Sequence, residues 1–203
     1  MGKNIGLIPL GFTEIWSASF NSAIIISAGD NAEFIAFCGI NLDITIFNKE
    51  NVYLPAFLKT YPFLNVEVEN KDKKVNSLIA IDNNPKYVAK DKKIFILDKE
   101  KNLSKQVATK VELIKELNSQ RAVCRRIIAE LKKLDLLIKK GLRVKIEGKE
   151  EKVILEEFYV INIEKLLKLD DKIIAGFARK GWMGIFDAHL KSISNFEKIL
   201  KAN

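Results

Sequence analysis

The stretch LSKQVATKVELIKELNSQRAVCRRIIAELKKLDLLIKK, Leu103–Lys140, decides the fold class. Leu103, Val107, Val111, Ile114, Leu117, Cys124, Ile128, Leu131 and Ile138 recur at intervals of three and four, the period of an amphipathic helix. The stretch contains no proline, and Gly141 offers a stop. The pattern predicts one long helix, or two in line, over 103–140. Ten Lys or Arg and four Asp or Glu give the stretch +6 of the chain's net +8. Arg121 falls on or beside the apolar stripe, between Leu117 and Cys124, and there needs a partner or a route to water. A basic helix of this kind can meet nucleic acid or an anionic membrane. No aromatic side chain interleaves it, which favours a solvated face over a nucleic-acid module.

Upstream, the pattern changes to short apolar or alternating runs: Ala23–Ser27, Glu33–Cys38, Ile44–Phe47, Phe63–Glu69, Val75–Ile81 and Ile94–Leu97. Turn-forming clusters separate them, namely Ala28-Gly29-Asp30-Asn31, Gly39-Ile40-Asn41 and Asn83-Asn84-Pro85. Phe63–Glu69 and Val75–Ile81 read as a hairpin across the polar break 70–74. Downstream, Leu142–Ile146 and Lys152–Ile154 read as a second hairpin through Glu147-Gly148-Lys149, followed by a strand at Phe158–Ile161. Helices are predicted at Ile163–Leu169, Asp171–Arg179 and Trp182–Ala202, with Asp170 as an N-cap and Gly181 as a stop. Strands, a long helix, a short β segment and a C-terminal helical region are segregated along the chain. That order predicts an α+β fold with mainly antiparallel strands in the N-terminal half.

With 203 residues, 48% of them apolar and only 4 prolines, the chain can bury a core and is read as a single domain over 1–203. No run approaches the ~18–20 apolar residues of a membrane-spanning helix. Met1–Phe12 does not have the pattern of a secretory signal, and Gly6 stands where an N-myristoylation motif needs Ser or Thr. Cys38 and Cys124 are isolated thiols, which points to a reducing compartment and a cytoplasmic location. One histidine and two distant cysteines do not supply a structural zinc site. No metal site and no cofactor are read.

Catalytic motifs are sparse. Gly176–Gly184 has neither the ending of a phosphate-binding loop nor a dinucleotide-binding spacing, and there is no nucleophile elbow. Glu156-Glu157 and Asp170-Asp171 read as solvated or capping acids. The candidate site therefore gathers around His189, which lies on the edge of the stripe Trp182, Ile185, Phe186, Leu190, Ile193 and Phe196. Ser192 and Asn195 follow it on one side of the same helix. This polar row reads either as ligand chemistry or as a tie between the helix and a neighbouring strand.

Two blocks resemble the SapC family of bacterial proteins. Val52-Tyr-Leu-Pro-Ala-Phe-Leu-Lys-Thr-Tyr-Pro-Phe63 is similar to the family's YVPAYLRRYPF block. Glu157-Phe-Tyr-Val-Ile-Asn-Ile-Glu-Lys-Leu166 and Lys180–Asn195 are similar to its C-terminal block. Arg121–Leu137 resembles its central helix, and Ile79–Asp82 the strand before it. The chain departs from the family where a tryptophan precedes the first block, where an acidic turn is reduced to Asp98-Lys-Glu-Lys, and at Asn162, which replaces an Asp. The resemblance implies a protein of the surface-layer locus type, encoded beside a secretion apparatus and distinct from the peptide-transporter permease of similar name. It implies no reaction.

The leading expectation is a soluble accessory protein that binds a protein partner, with secretion or surface-protein machinery as the context. Tyr53, Phe57, Tyr61, Phe63, Trp182 and Phe186 are the aromatic anchors available for it. The alternative is an enzyme or small-ligand subunit, with His189 as acid or base, Arg121 binding a carboxylate, and Tyr61 or Asn195 orienting the ligand. The candidate ligand or partner residues are thus His189, Arg121, Tyr61, Trp182, Ser192 and Asn195, and none is assigned a catalytic role. Nucleic-acid binding through 103–140 is a lesser reading, and a homo-oligomer stays open.

Overall fold

A computed structural model describes residues 6–40, 47, 50–69, 75–82, 95–144 and 151–201. The expected strand at Ile44–Phe47, apart from Phe47, lies outside the described residues, as do the turns at Asn83-Asn84-Pro85 and Glu147-Gly148-Lys149. The chain is α+β, with antiparallel strands, a 29-residue helix and a helical C-terminal region. It divides into two compact units, one of residues 1–55 with 120–203 and one of residues 56–119.

The first unit is built on a five-stranded sheet of order β1-β3-β2-β7-β6, with every pair antiparallel. Its strands are β1 (Gly6–Pro9), β2 (Ala23–Ser27), β3 (Phe34–Gly39), β6 (Leu137–Val144) and β7 (Lys152–Ile161). β2 and β3 form a hairpin around Gly29, whose φ of 92° the turn requires. Ala23–Ile26 is apolar without alternation because the strand is buried on both faces. One face presents Ala23, Ile25, Phe37, Ile154 and Phe158 to Phe196 of helix α7 (Asn195–Lys201). Each large side chain buried this way contributes about 1.5–3 kcal/mol. Three more helices complete the C-terminal region: α4 (Ile163–Leu166), α5 (Asp171–Arg179) and α6 (Trp182–Ser192). A short helix α1 (Ile15–Ala18) follows a turn of 3-10 helix at Phe12–Glu14.

The long helix α3 is Lys105–Lys133, not 103–140. It stops at Asp135, whose φ of 53° is left-handed, while the Leu136 N–H reaches back to the Leu131 carbonyl at 2.9 Å. This is a Schellman end, with aspartate in the place usually held by glycine. The residues after it, Leu137–Lys140, are the start of β6. Gly141 is therefore not a helix stop. It sits inside β6 at a register irregularity, where an added Cβ would lie 3.0 Å from the Glu156 carbonyl oxygen of β7. Gly141→Ala is expected to cost about 1–3 kcal/mol through that contact, read from urea denaturation, whereas a change at the exposed Lys140 is expected to cost little.

Other expectations hold with smaller adjustments. Asp170 caps α5, accepting from the Lys172 N–H at 2.8 Å, and Gly181 has a φ of 71° between α5 and α6. The last helix is broken, with α6 ending at Ser192 before α7 begins. Asn162 caps α4 through its side-chain oxygen, a task that Asn and Asp perform equally well.

The second unit holds helix α2 (Ala56–Thr60), the hairpin of β4 (Phe63–Glu69) and β5 (Val75–Ile81), and residues 105–119 of α3. The Tyr61–Pro62 peptide is cis. The unit's core joins Phe63 and Ile81 of the hairpin to Val107, Val111 and Ile114 of α3. The expected strand at Ile94–Leu97 reduces, among described residues, to an isolated bridge between Leu97 and Leu103. Asp98 accepts from the N–H groups of Glu100 and Asn102, so the altered acidic turn keeps a local turn geometry.

Candidate functional site

The centre of the first unit's sheet is a ladder that opens. β2 and β7 pair at Ser27 with Phe158 and at Ile26 with Tyr159. Continuing that register would set Ile24 opposite Ile161. Their N–H groups bond to side chains of α6 instead. Ile161 N–H donates to Nε2 of His189 at 3.1 Å, and Ile24 N–H donates to Oγ of Ser192 at 2.9 Å. Two buried backbone donors are satisfied by a wedge of side chains where the strands diverge. The Ser192 hydroxyl in turn donates to the His189 carbonyl at 2.7 Å.

Nε2 accepts, so neutral His189 carries its proton on Nδ1. Among the described residues Nδ1 has no partner at hydrogen-bond geometry, although the Ile24 backbone favours its protonation. The ring is fully buried, edge-on to Phe34 with centroids 6.0 Å apart. Burial outweighs the Ile24 effect and pushes the imidazole down to about 4. Asn195 continues the row, its Nδ2 donating to the carbonyls of Ser19 and Ser22 at 2.7 and 3.0 Å. His189, Ser192 and Asn195 thus share one edge of the C-terminal helices, and each bonds backbone of the sheet or of the segment entering β2.

Arg121 meets a different partner. Its guanidinium takes both carboxylate oxygens of Glu33, at 2.8 and 2.7 Å from one nitrogen, and Arg125 adds a bond of 2.8 Å to the same acid. The fork geometry is that of a strong charge-assisted pair. Glu33 precedes β3 and was not marked by any spacing in the sequence. Tyr61 belongs to the second unit, where its hydroxyl bonds the Asp82 carboxylate. Of the other expected anchors, Phe63 and Phe186 are buried, and the Tyr53 hydroxyl donates to Glu14 at 2.9 Å. Both cysteines are buried thiols, and burial, with the Glu33 and Glu14 charges, pushes Cys124 up to about 12.

Much of the positive run is used internally. Besides Arg121 and Arg125, Lys132 donates to the Gly29 carbonyl, Lys110 to the carbonyls of Lys59 and Tyr61, and Lys115 pairs with Glu112. Arg126 and Lys133 remain exposed on α3. They line an open groove of about 700 Å³ in the first unit, together with Lys180 and Trp182 from the corner between α5 and α6. Trp182 is stacked on the buried Phe177 at 5.5 Å and 27°, and the Lys180 ammonium lies 4.6 Å from its ring centre. Trp182 was legible as an anchor. The groove's cations were not, although Arg126, Glu130 and Lys133 recur at helical spacing beside the apolar stripe.

Among the described residues no helix is long and apolar enough to cross a membrane. Comparison with curated proteins returns no match, and comparison with solved structures returns none either. The SapC family model matches residues 1–199, so the chain belongs to the SapC family.

Proposed function

We propose that this SapC-family chain, taken as one SapC-like domain over 1–203, is a soluble cytoplasmic accessory protein that binds a protein partner and supports export or assembly of surface proteins. The observation that carries the reading is Trp182, a part-exposed aromatic held rigid by Phe177 and bordered by cations at an open groove. A rigid Trp near an Arg is the composition of interface hot spots. The test is tagged capture of the full chain from its nuclease-treated host lysate at ~0.3 M salt, well past simple charge screening. A stoichiometric protein partner is expected. Recovery of the bare chain would overturn the reading.

A ligand or enzyme role at His189 is favoured by one feature, an Nδ1 without a hydrogen-bond partner among the described residues. Against it, His189 is fully buried and its other nitrogen holds the sheet, so a substrate would have to displace α6. Nucleic-acid binding along α3 is weakened by the internal use of Arg121, Arg125, Lys110 and Lys132.

A further inference from the structure

We infer that the groove between α3 and the α5–α6 corner seats an acidic segment of the partner, with carboxylates meeting Arg126 and Lys133 and an apolar side chain packing beside Trp182. This rests on the protein-partner reading above. Arg126, Lys133 and Lys180 line the groove, with Glu130 as its one lining acid. Arg126 and Lys133 are exposed and point to no acceptor of their own among the described residues, whereas the neighbouring Arg125 and the equally exposed Lys132 are bonded to Glu33 and to the Gly29 carbonyl. Two cations held on a rigid helix, seven residues apart and thus on one face, are set out along the groove rather than clustered at a point. That arrangement suits separated carboxylates on an extended chain.

The Trp182 ring already carries Phe177 and the Lys180 ammonium, so a nucleobase finds little bare face for stacking. Its remaining contact, continued by Val123 and Ala129, is an apolar patch suited to one side chain. Glu130 sits among the cations, where its carboxylate can accept from the N–H groups of a peptide, donors that a phosphodiester backbone lacks. Charge, aliphatic lining and an acceptor together fit an acidic peptide better than a nucleic acid.

The full chain is titrated against a short fluorescein-labelled peptide of aspartate and glutamate around one central phenylalanine. Fluorescence anisotropy is the readout. Labelled oligothymidylate and the peptide with alanine replacing phenylalanine are run beside it. Saturable peptide binding is expected, weakened at least about tenfold by Arg126→Glu with Lys133→Glu, and similarly by the alanine peptide. The double variant changes only exposed side chains; the like charges at 126, 130 and 133 and the acid in the last turn of α3 are expected to lower its thermal melt by a few degrees while it stays folded. It should also gain affinity for the lysine counterpart of the peptide, a rescue that general misfolding cannot produce. Equal binding by wild type and double variant would overturn the proposal, as would no peptide binding, or tighter binding of oligothymidylate. A host partner held equally by both proteins would remove the groove as its seat while leaving the protein-partner reading intact.

Discussion

Acidification from pH 6.5 to 4 is expected to remove about 3 kcal/mol of folding stability through His189 alone. The imidazole is neutral in the folded chain and titrates near 4, against 6.5 when free of the fold. Between those values the unfolded chain binds a proton that the folded chain refuses, so unfolding gains as pH falls. The stabilisation is complete above pH 6.5 and lost on the way down to 4. The cause is geometric. Protonating the ring would give Nε2 a proton facing the Ile161 N–H, donor against donor, in a site without water contact. The contribution of His189 is isolated by difference. Urea denaturation of wild type and His189→Gln at pH 7 and pH 4.5 supplies that difference. The glutamine can still accept from Ile161, and the variant should show a shallower pH dependence than wild type. Parallel curves would mean that His189 is not the buried neutral acceptor described.

Loss of the Glu33 carboxylate is expected to cost about 2–4 kcal/mol, slightly less than for a fully buried pair. Glu33 keeps 12% of its side-chain surface and Arg121 22%, so water offsets only part of the loss. Glu33→Ala would leave the Arg121 guanidinium beside the apolar stripe of α3 and release Arg125 as well. The bonds join α3 to the segment entering β3, so their loss should also loosen that junction. Arg121→Met in the Glu33→Ala background is expected to restore part of the stability by removing the stranded charge. Chemical denaturation of the single and double variants measures the coupling. A cost below about 1 kcal/mol would place the pair with ordinary surface ion pairs.

Strands β2 and β3, the hairpin of β4 and β5, the α5 cap and the α+β class were legible because each is written locally, whereas β1 was not expected and β7 was expected as two pieces, 152–154 and 158–161. Alternation, turn residues and capping side chains act over a few neighbours. Two boundaries were not. The stop of α3 at Asp135 depends on a left-handed aspartate, whereas Leu134, Leu136, Leu137 and Ile138 extend the apolar pattern past it. Gly141 looked like a stop because its true constraint, the close Glu156 carbonyl, comes from a strand that follows later in the chain. The site shows the same division. His189, Ser192 and Asn195 could be placed on one helical edge, but the gap that they fill between β2 and β7 exists only once the sheet is assembled. Arg121 announced its need for a partner, yet Glu33 lies 88 residues away. Which cations of the basic run are bonded internally is likewise set by the fold: Arg125 and Lys132 meet Glu33 and the Gly29 carbonyl, whereas Arg126 and Lys133 line the groove.

His189 holds the fold and Arg126 and Lys133 meet the partner, a division that one capture experiment tests most directly. Tagged wild type, His189→Gln and Arg126→Glu with Lys133→Glu are each recovered from host lysate, then extracted for bound proteins and small molecules. Wild type and His189→Gln are predicted to hold the same stoichiometric protein, and the charge-reversed variant to lose it. A small molecule recovered with the wild type and lost from a folded His189→Gln protein would contradict the account and move the function to the buried imidazole.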